Sequence, residues 1–163
     1  KDVLLFGTNN YLGLTFNGDC VGAATRALKA EGTGTTGSRI ANGSYAGHKD
    51  LEQALAAFYG RQHAIVFTTG YQANLGVISA LVYKGDYVIT DKDDHASIVD
   101  GCMLSRGTMK RFRHNDMADL ERVLTALPLE VGKLVVVDGK VRSDPSITSA
   151  AITARSLRPR TLT

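Results

Sequence analysis

Cysteine is scarce in this chain, and the two present, Cys20 and Cys102, are far apart and lack the spacing of a metal-binding pair. No metal is therefore expected, and buried reduced thiols are the simpler reading. No apolar run approaches the length needed to cross a bilayer, and the first residues lack the basic-then-apolar order of an export signal, so a cytoplasmic protein without a transmembrane segment is expected. A basic stripe is missing too. Residues 140–163 hold five of the 19 basic residues and one of the 16 acids, which leaves 14 basic against 15 acidic in residues 1–139, a net of −1. The formal +3 is a property of the last segment, and no nucleic-acid partner is expected.

What is present is ordinary for a globular domain: 163 residues, 44% hydrophobic and 21% charged, enough for one α/β domain and too few for two. The organising stretch is 64–101. Ala64–Phe67 is a short β-branched and aromatic run that breaks at Thr68-Thr69-Gly70 into a helical pattern lasting to about Tyr83. Tyr87–Thr90 is a second apolar run, and Asp91–Asp94 gives way to a helix opening at His95, with Ile98, Val99, Cys102 and Met103 turned inward. Met109–Arg113 reads as a strand, Asn115-Asp116 as a cap, and Met117, Leu120, Val123, Leu124 and Leu127 as one face of a helix ended by Pro128. Leu134–Val137 is continuous in its hydrophobicity, as a parallel strand buried on both faces should be.

Alternating strands and helices imply right-handed crossovers and a mostly parallel sheet between helical layers, an α/β three-layer sandwich. Ligands of such sheets sit beyond the carboxyl ends of the strands, where Thr69-Gly70-Tyr71 and His95 would both fall. No G-x-G-x-x-G follows a strand, which counts against a nucleotide-binding module of the dinucleotide type.

Before residue 63 the pattern is helical and glycine-rich. Gly7–Gly13 is an amide-rich loop, readable as an Asx-type turn or as a ligand contact. Cys20–Glu31 is a weakly amphipathic helix ended by Gly32, and His48–Tyr59 a stronger one with Leu51, Ala54, Leu55 and Phe58 on one face and a solvated face of Lys49, Asp50, Glu52 and Gln53. Between them, Gly32–Arg39 is either a flexible linker or a loop that lets backbone approach a ligand; the Lys-Ser/Thr of a phosphate-binding P-loop is absent. The expected organisation is an N-terminal segment over 1–62, a βαβαβαβ core over 63–139, and a poorly packed tail rich in Ser, Thr, Arg and Pro over 140–163.

Several motifs occur together and in order: Asn10-Tyr11-Leu12-Gly13, Gly34 to Arg39, Thr69-Gly70-Tyr71-Gln72-Ala73-Asn74 and Asp94-His95-Ala96-Ser97. With them the chain resembles the α-oxoamine synthases, pyridoxal 5'-phosphate (PLP) enzymes of the aminotransferase class I/II, fold type I group. Through Gly37-Ser38-Arg39, Asn42-Gly43, Leu51–Leu55, Phe58-Tyr59-Gly60, Asp100-Gly101-Cys102 and Arg111–Asn115 it most resembles the bacterial serine palmitoyltransferases. The resemblance covers residues 1 to about 139 and departs from the family pattern at Asn9 and Thr36.

The resemblance implies an incomplete fold type I large domain and a set of roles. Gly70 and Tyr71 would give backbone N–H groups to the PLP phosphate at a helix N-terminus, with a hydroxyl from Thr69. His95, which on sequence alone reads as a capping or surface residue, would by the resemblance lie on the pyridine ring and reach the substrate. Asn10 would lie near the amino-acid substrate and Ser38 near the acyl-CoA entrance of a site shared across a homodimer or with a related subunit.

The implied reaction joins an amino acid, L-serine by the nearest likeness, to a long-chain acyl-CoA with release of CoA and CO₂, the first step towards sphingolipid long-chain bases. A non-catalytic partner subunit and an 8-amino-7-oxononanoate or 2-amino-3-ketobutyrate synthase-type acyltransferase are the alternatives. The family's ring-pairing aspartate, second histidine and Schiff-base lysine have no counterpart here. The likeness stops after Asp138-Gly139, and Lys140 sits in the wrong strand-end context. Little or no catalysis by this chain alone, and weak, non-covalent PLP binding, are therefore expected.

Overall fold

Tyr87–Asp91 forms the central strand, β1, of a four-stranded sheet in the computed structural model, which describes Leu4, residues 7–140 and residues 148–153, the residues at 139, 140 and 148–153 through their backbone. The parallel neighbours of β1 are β2 (Thr108–Phe112) on one side and β3 (Lys133–Lys140) on the other, and β4 (Thr148–Thr153) pairs antiparallel with β3 at the edge. The order β2-β1-β3-β4 gives the mostly parallel sheet that the strand–helix alternation predicts. The expectation of a poorly packed 140–163 falls largely outside the described residues.

Two apolar layers lie on opposite faces because side chains alternate along a strand. On one face Val88 of β1 and Leu134 and Val136 of β3 meet Ile78, Val82, Ile98 and Cys102, contributed by α4 (Gly70–Leu81), the residue after it, and α5 (Ala96–Leu104). On the other, Ile89 and Phe112 meet Val123 and Leu127 of α6 (Met117–Thr125) and its C-terminal turn, with Val135 and Val137 alongside. This is a three-layer α/β/α sandwich. Glycine permits the crossing of α4 and α5, since a Cβ on Gly101 would stand 3.0 Å from both Asn74 O and Ile78 Cδ1.

Ala64–Phe67, expected as the first strand, is not one. Its composition suits a strand, but a strand is held by ladder hydrogen bonds, and this segment is not one of the four strands of the sheet; Ile65 is 67% exposed. Among the described residues the parallel part of the sheet therefore has three strands instead of four. Met103 and Met117 are exposed, not inward: Met103 lies off the stripe that α5 turns to the sheet, and Met117, the first residue of α6, lies at the margin of its stripe. Cys102 is buried, as expected of a structural thiol, but Cys20 is exposed, and both are free.

The chain divides into two units, Lys1–Ile65 and Val66–Thr163. The first contains a 3₁₀ turn (Leu14–Phe16), α1 (Gly18–Glu31), the single turn α2 (Arg39–Asn42) and α3 (Ala46–Phe58). Asn17 caps α1 by accepting from Cys20 N–H, and Gly32 ends it as expected. At the end of α3, Gly60 takes φ +59 while Gly60 N–H bonds Ala57 O and Arg61 N–H bonds Ala56 O, the paired bonds of a Schellman ending. The α3 face predicted to be solvated is partly committed: the Arg39 guanidinium donates to both carboxylate oxygens of Glu52, at 2.6 and 3.0 Å, and to Ser44 Oγ. The glycine-rich stretch before Arg39 is thereby anchored to α3, which fits neither a free linker nor a P-loop.

Candidate functional site

Helix α4 fixes where its own N-terminus lies. Twelve residues rise about 18 Å, and the turn Val82–Asp86 feeds directly into the start of β1. The Gly70 end thus stands at the carboxyl edge of the parallel strands. Helix α5 begins immediately after β1, so its N-terminus stands at the same edge. The two helix starts are joined there: Asn74 Nδ2 donates to Ser97 Oγ at 2.9 Å, and the Tyr71 hydroxyl donates to an Asp100 carboxylate oxygen, which pushes the Tyr71 phenol above its ordinary value.

Thr69 is the N-cap of α4, its hydroxyl oxygen accepting from Gln72 N–H at 3.1 Å. Gly70 and Tyr71 are the first two helical residues, both exposed, and among the described residues no acceptor meets either backbone N–H. Two donors at a helix N-terminus, with the dipole behind them, form a seat suited to a phosphate ester. His95 is the N-cap of α5: its Nδ1 accepts from Ser97 N–H at 3.1 Å, so the capping role open from sequence is realised. The ring itself is exposed, and Nε2 has no partner among the described residues. A flat exposed ring beside free helix-end donors is compatible with a planar, phosphorylated ligand.

The loop between β1 and His95 is held by aspartates. Asp94 accepts from the N–H groups of Asp91 (3.0 Å) and Asp138 (2.7 Å) and from the Thr90 hydroxyl, strapping the ends of β1 and β3 together. Asp91 accepts from Asp93 N–H, Asn115 N–H and His114 Nδ1 at 2.8–3.0 Å, tying β1 to the turn after β2. Burial alone would push the Asp91 carboxyl up, but these donors outweigh it and hold the group below the usual carboxylate range. His95 therefore projects from a fixed loop, whose ties to the strand ends the acidic run Asp91–Asp94 does not reveal in sequence. Burial pushes the Cys102 thiol on α5 to about 11, so it is not a nucleophile.

Asn10 and Ser38 belong to the first unit. Asn10 Oδ1 accepts from Thr15 N–H, five residues on, at 3.4 Å, and its backbone oxygen accepts from Gly13 N–H, so the loop is closed by a backbone turn and not by an Asx turn, whose bond reaches two residues on. Ser38 caps α2 by accepting from Ala41 N–H. Two clefts in this unit, about 190 and 210 Å³, are lined by neither residue. Among the described residues no three His, Cys, Asp or Glu side chains are grouped to hold a metal ion, and no helix is long and apolar enough to cross a membrane.

Comparison with known proteins bears on this arrangement. Serine palmitoyltransferase from Caulobacter vibrioides is 57% identical over 140 residues, covering 85% of this chain and 35% of that protein. An 8-amino-7-oxononanoate synthase from Geobacter metallireducens is 46% identical over 144 residues, 88% of this chain and 37% of that one. A solved serine palmitoyltransferase variant from S. paucimobilis, with bound PLP-myriocin aldimine, superposes with a TM-score of 0.80 at 53% identity, over 83% of this chain and 35% of that structure. The chain thus spans about a third of the length of these relatives, and its sandwich is part of a fold type I large domain. Because the pattern described as aminotransferase class I and II matches residues 1–139, the greater part of the sequence, the chain belongs to that family.

Proposed function

We propose that this chain forms part of a PLP-dependent α-oxoamine synthase whose intact form condenses an amino acid, L-serine, with a long-chain acyl-CoA and releases CoA and CO₂. The observation that carries the reading is the meeting, at one sheet edge, of Gly70 and Tyr71 N–H groups, unpartnered among the described residues, with the exposed His95 ring, fastened through Asn74 and Ser97. In this reading the two amides and the Thr69 hydroxyl grip the phosphate, and His95 covers one face of the ring. PLP, when bound, supplies an electron sink for the pair left at the amino acid's α-carbon. The chain's own residues bind, orient and exclude water. Asn10 would contact the amino acid and Ser38 the acyl-CoA approach.

The 163 residues by themselves would hold PLP weakly and non-covalently and would not turn over. They would act in the cytoplasm, as a homodimer or beside a related subunit. The match to 8-amino-7-oxononanoate synthases supports a second reading with a different amino acid and acyl donor. An absorbance titration with PLP, with and without L-serine, tests the proposal. Saturable binding that disappears on desalting and is lost in Gly70→Asp is expected, because a carboxylate there repels the phosphate. Undiminished affinity in Gly70→Asp would refute the phosphate assignment, and a chromophore that survives desalting would refute the claim that no lysine here anchors PLP. A spectral response to serine favours the first substrate reading; saturable binding without one favours the second.

A further inference from the structure

Ser97 sits 1% exposed beneath His95, with its hydroxyl oxygen 2.7 Å from His95 Nδ1. Asn74, half-buried on α4, donates its amide to the same Ser97 oxygen at 2.9 Å, and the Ser97 backbone N–H donates to His95 Nδ1 at 3.1 Å. A backbone N–H has only a proton to offer, so Nδ1 must present its lone pair to it, and the neutral ring carries its proton on Nε2. The amide imposes the same direction on the hydroxyl. With the Asn74 amide hydrogen on the Ser97 oxygen, the serine's own hydrogen is left to point at Nδ1.

Two donors from a shielded site thus converge on one ring nitrogen. Tautomer and ring orientation are fixed together, because rotating the ring out of this position forfeits both bonds. We propose that Asn74 and Ser97 are positioning residues that lock His95 as the Nε2–H tautomer, presenting a single hydrogen-bond donor at the edge where α4 and α5 begin. Its use towards a bound cofactor and amino acid rests on the function proposed above; the state of the ring does not.

Imidazole nitrogen NMR on the full chain, made with ¹⁵N-histidine and recorded where the rings are neutral, reads the tautomer without any cofactor. His95→Gln assigns the signal among the four histidines. The expected spectrum gives His95 an unprotonated Nδ1 and a protonated Nε2. In Ser97→Ala and in Asn74→Ala the opposite tautomer should gain about tenfold in relative population, the effect of one ordinary hydrogen bond, and Ser97→Thr should restore the parent ratio. An Nδ1–H tautomer in the parent chain, or an unchanged ratio in Asn74→Ala and Ser97→Ala, overturns the proposal. Should Ser97→Ala fail to fold, the parent spectrum and Asn74→Ala decide it. PLP titration of the same samples keeps the two claims apart: a parent chain with the expected tautomer and no PLP affinity would sink the cofactor reading and leave the lock on His95 standing.

Discussion

The two units of this chain use similar amphipathic helices with opposite results. In residues 66–138, α4, α5 and α6 place Ile78, Ile98, Cys102 and Val123 against a sheet that buries both of its faces. In residues 7–65, α1 has a weak apolar stripe and α3 a clear one, yet Ala56 is the only buried hydrophobic residue, and Leu28, Leu51 and Phe58 remain exposed. An apolar stripe specifies that a helix wants a partner. It does not supply one. The sheet makes its own partner locally, because each crossover helix is returned to the strands it connects, whereas α1 and α3 have no such surface within their unit.

Core truncation is the strongest way to break this contrast. Ile78→Ala, at a position 0% exposed, should cost about 2–5 kcal/mol, while Phe58→Ala, 81% exposed, should change stability by less than about 0.5 kcal/mol. Urea unfolding of the two variants checks this, and equal losses would mean that the first unit is packed after all.

The carboxyl edge offers an intermediate effect. The Asp91 carboxyl is held below its unfolded value near 3.9, so its stabilising contribution is complete above that pH and is lost as pH falls through the lower folded value. Asp91→Asn should therefore cost about 1–3 kcal/mol near neutrality and flatten the acid limb of stability against pH. An acid limb identical to that of the parent would show that the His114 and Asn115 contacts do not hold in solution.

The smallest effect belongs to the first unit. Thr36, a β-branched residue at φ +52, sits in the left-handed region that glycine accepts freely. Thr36→Gly should stabilise the turn before α2 by up to about 1 kcal/mol, seen as slower amide exchange in residues 37–43. Faster exchange would indicate that the positive φ is not retained.

The sequence made the second unit legible because two periodicities agree there. Continuous apolar runs gave β1 and β3, and 3.6-residue spacing gave α4 and α6 to within a few residues. Ala64–Phe67 was misleading for the same reason, since composition reports what a segment can do when a neighbour is present. At the edge, Thr69, Gly70, Tyr71 and His95 were identifiable by motif, but the connections through Asn74, Ser97 and Asp100 were not, since they span 23 to 29 residues and follow no local rule. The Arg39–Glu52 pair was hidden for a related reason: a charged helix face is usually solvated, and only its position opposite α2 makes it a tie.

Local chemistry in the chain by itself determined the alternation of strand and helix, the caps at Asn17, Thr69 and Asp116, and the family pattern over residues 1–139. Tertiary structure decided which apolar stripes found a surface, which strand-like segment found a ladder, and that Asn74 meets Ser97 and Tyr71 meets Asp100 where α4 and α5 begin. Those outcomes depend on groups brought together from distant positions, and propensity, which acts over neighbouring residues, carries no information about them.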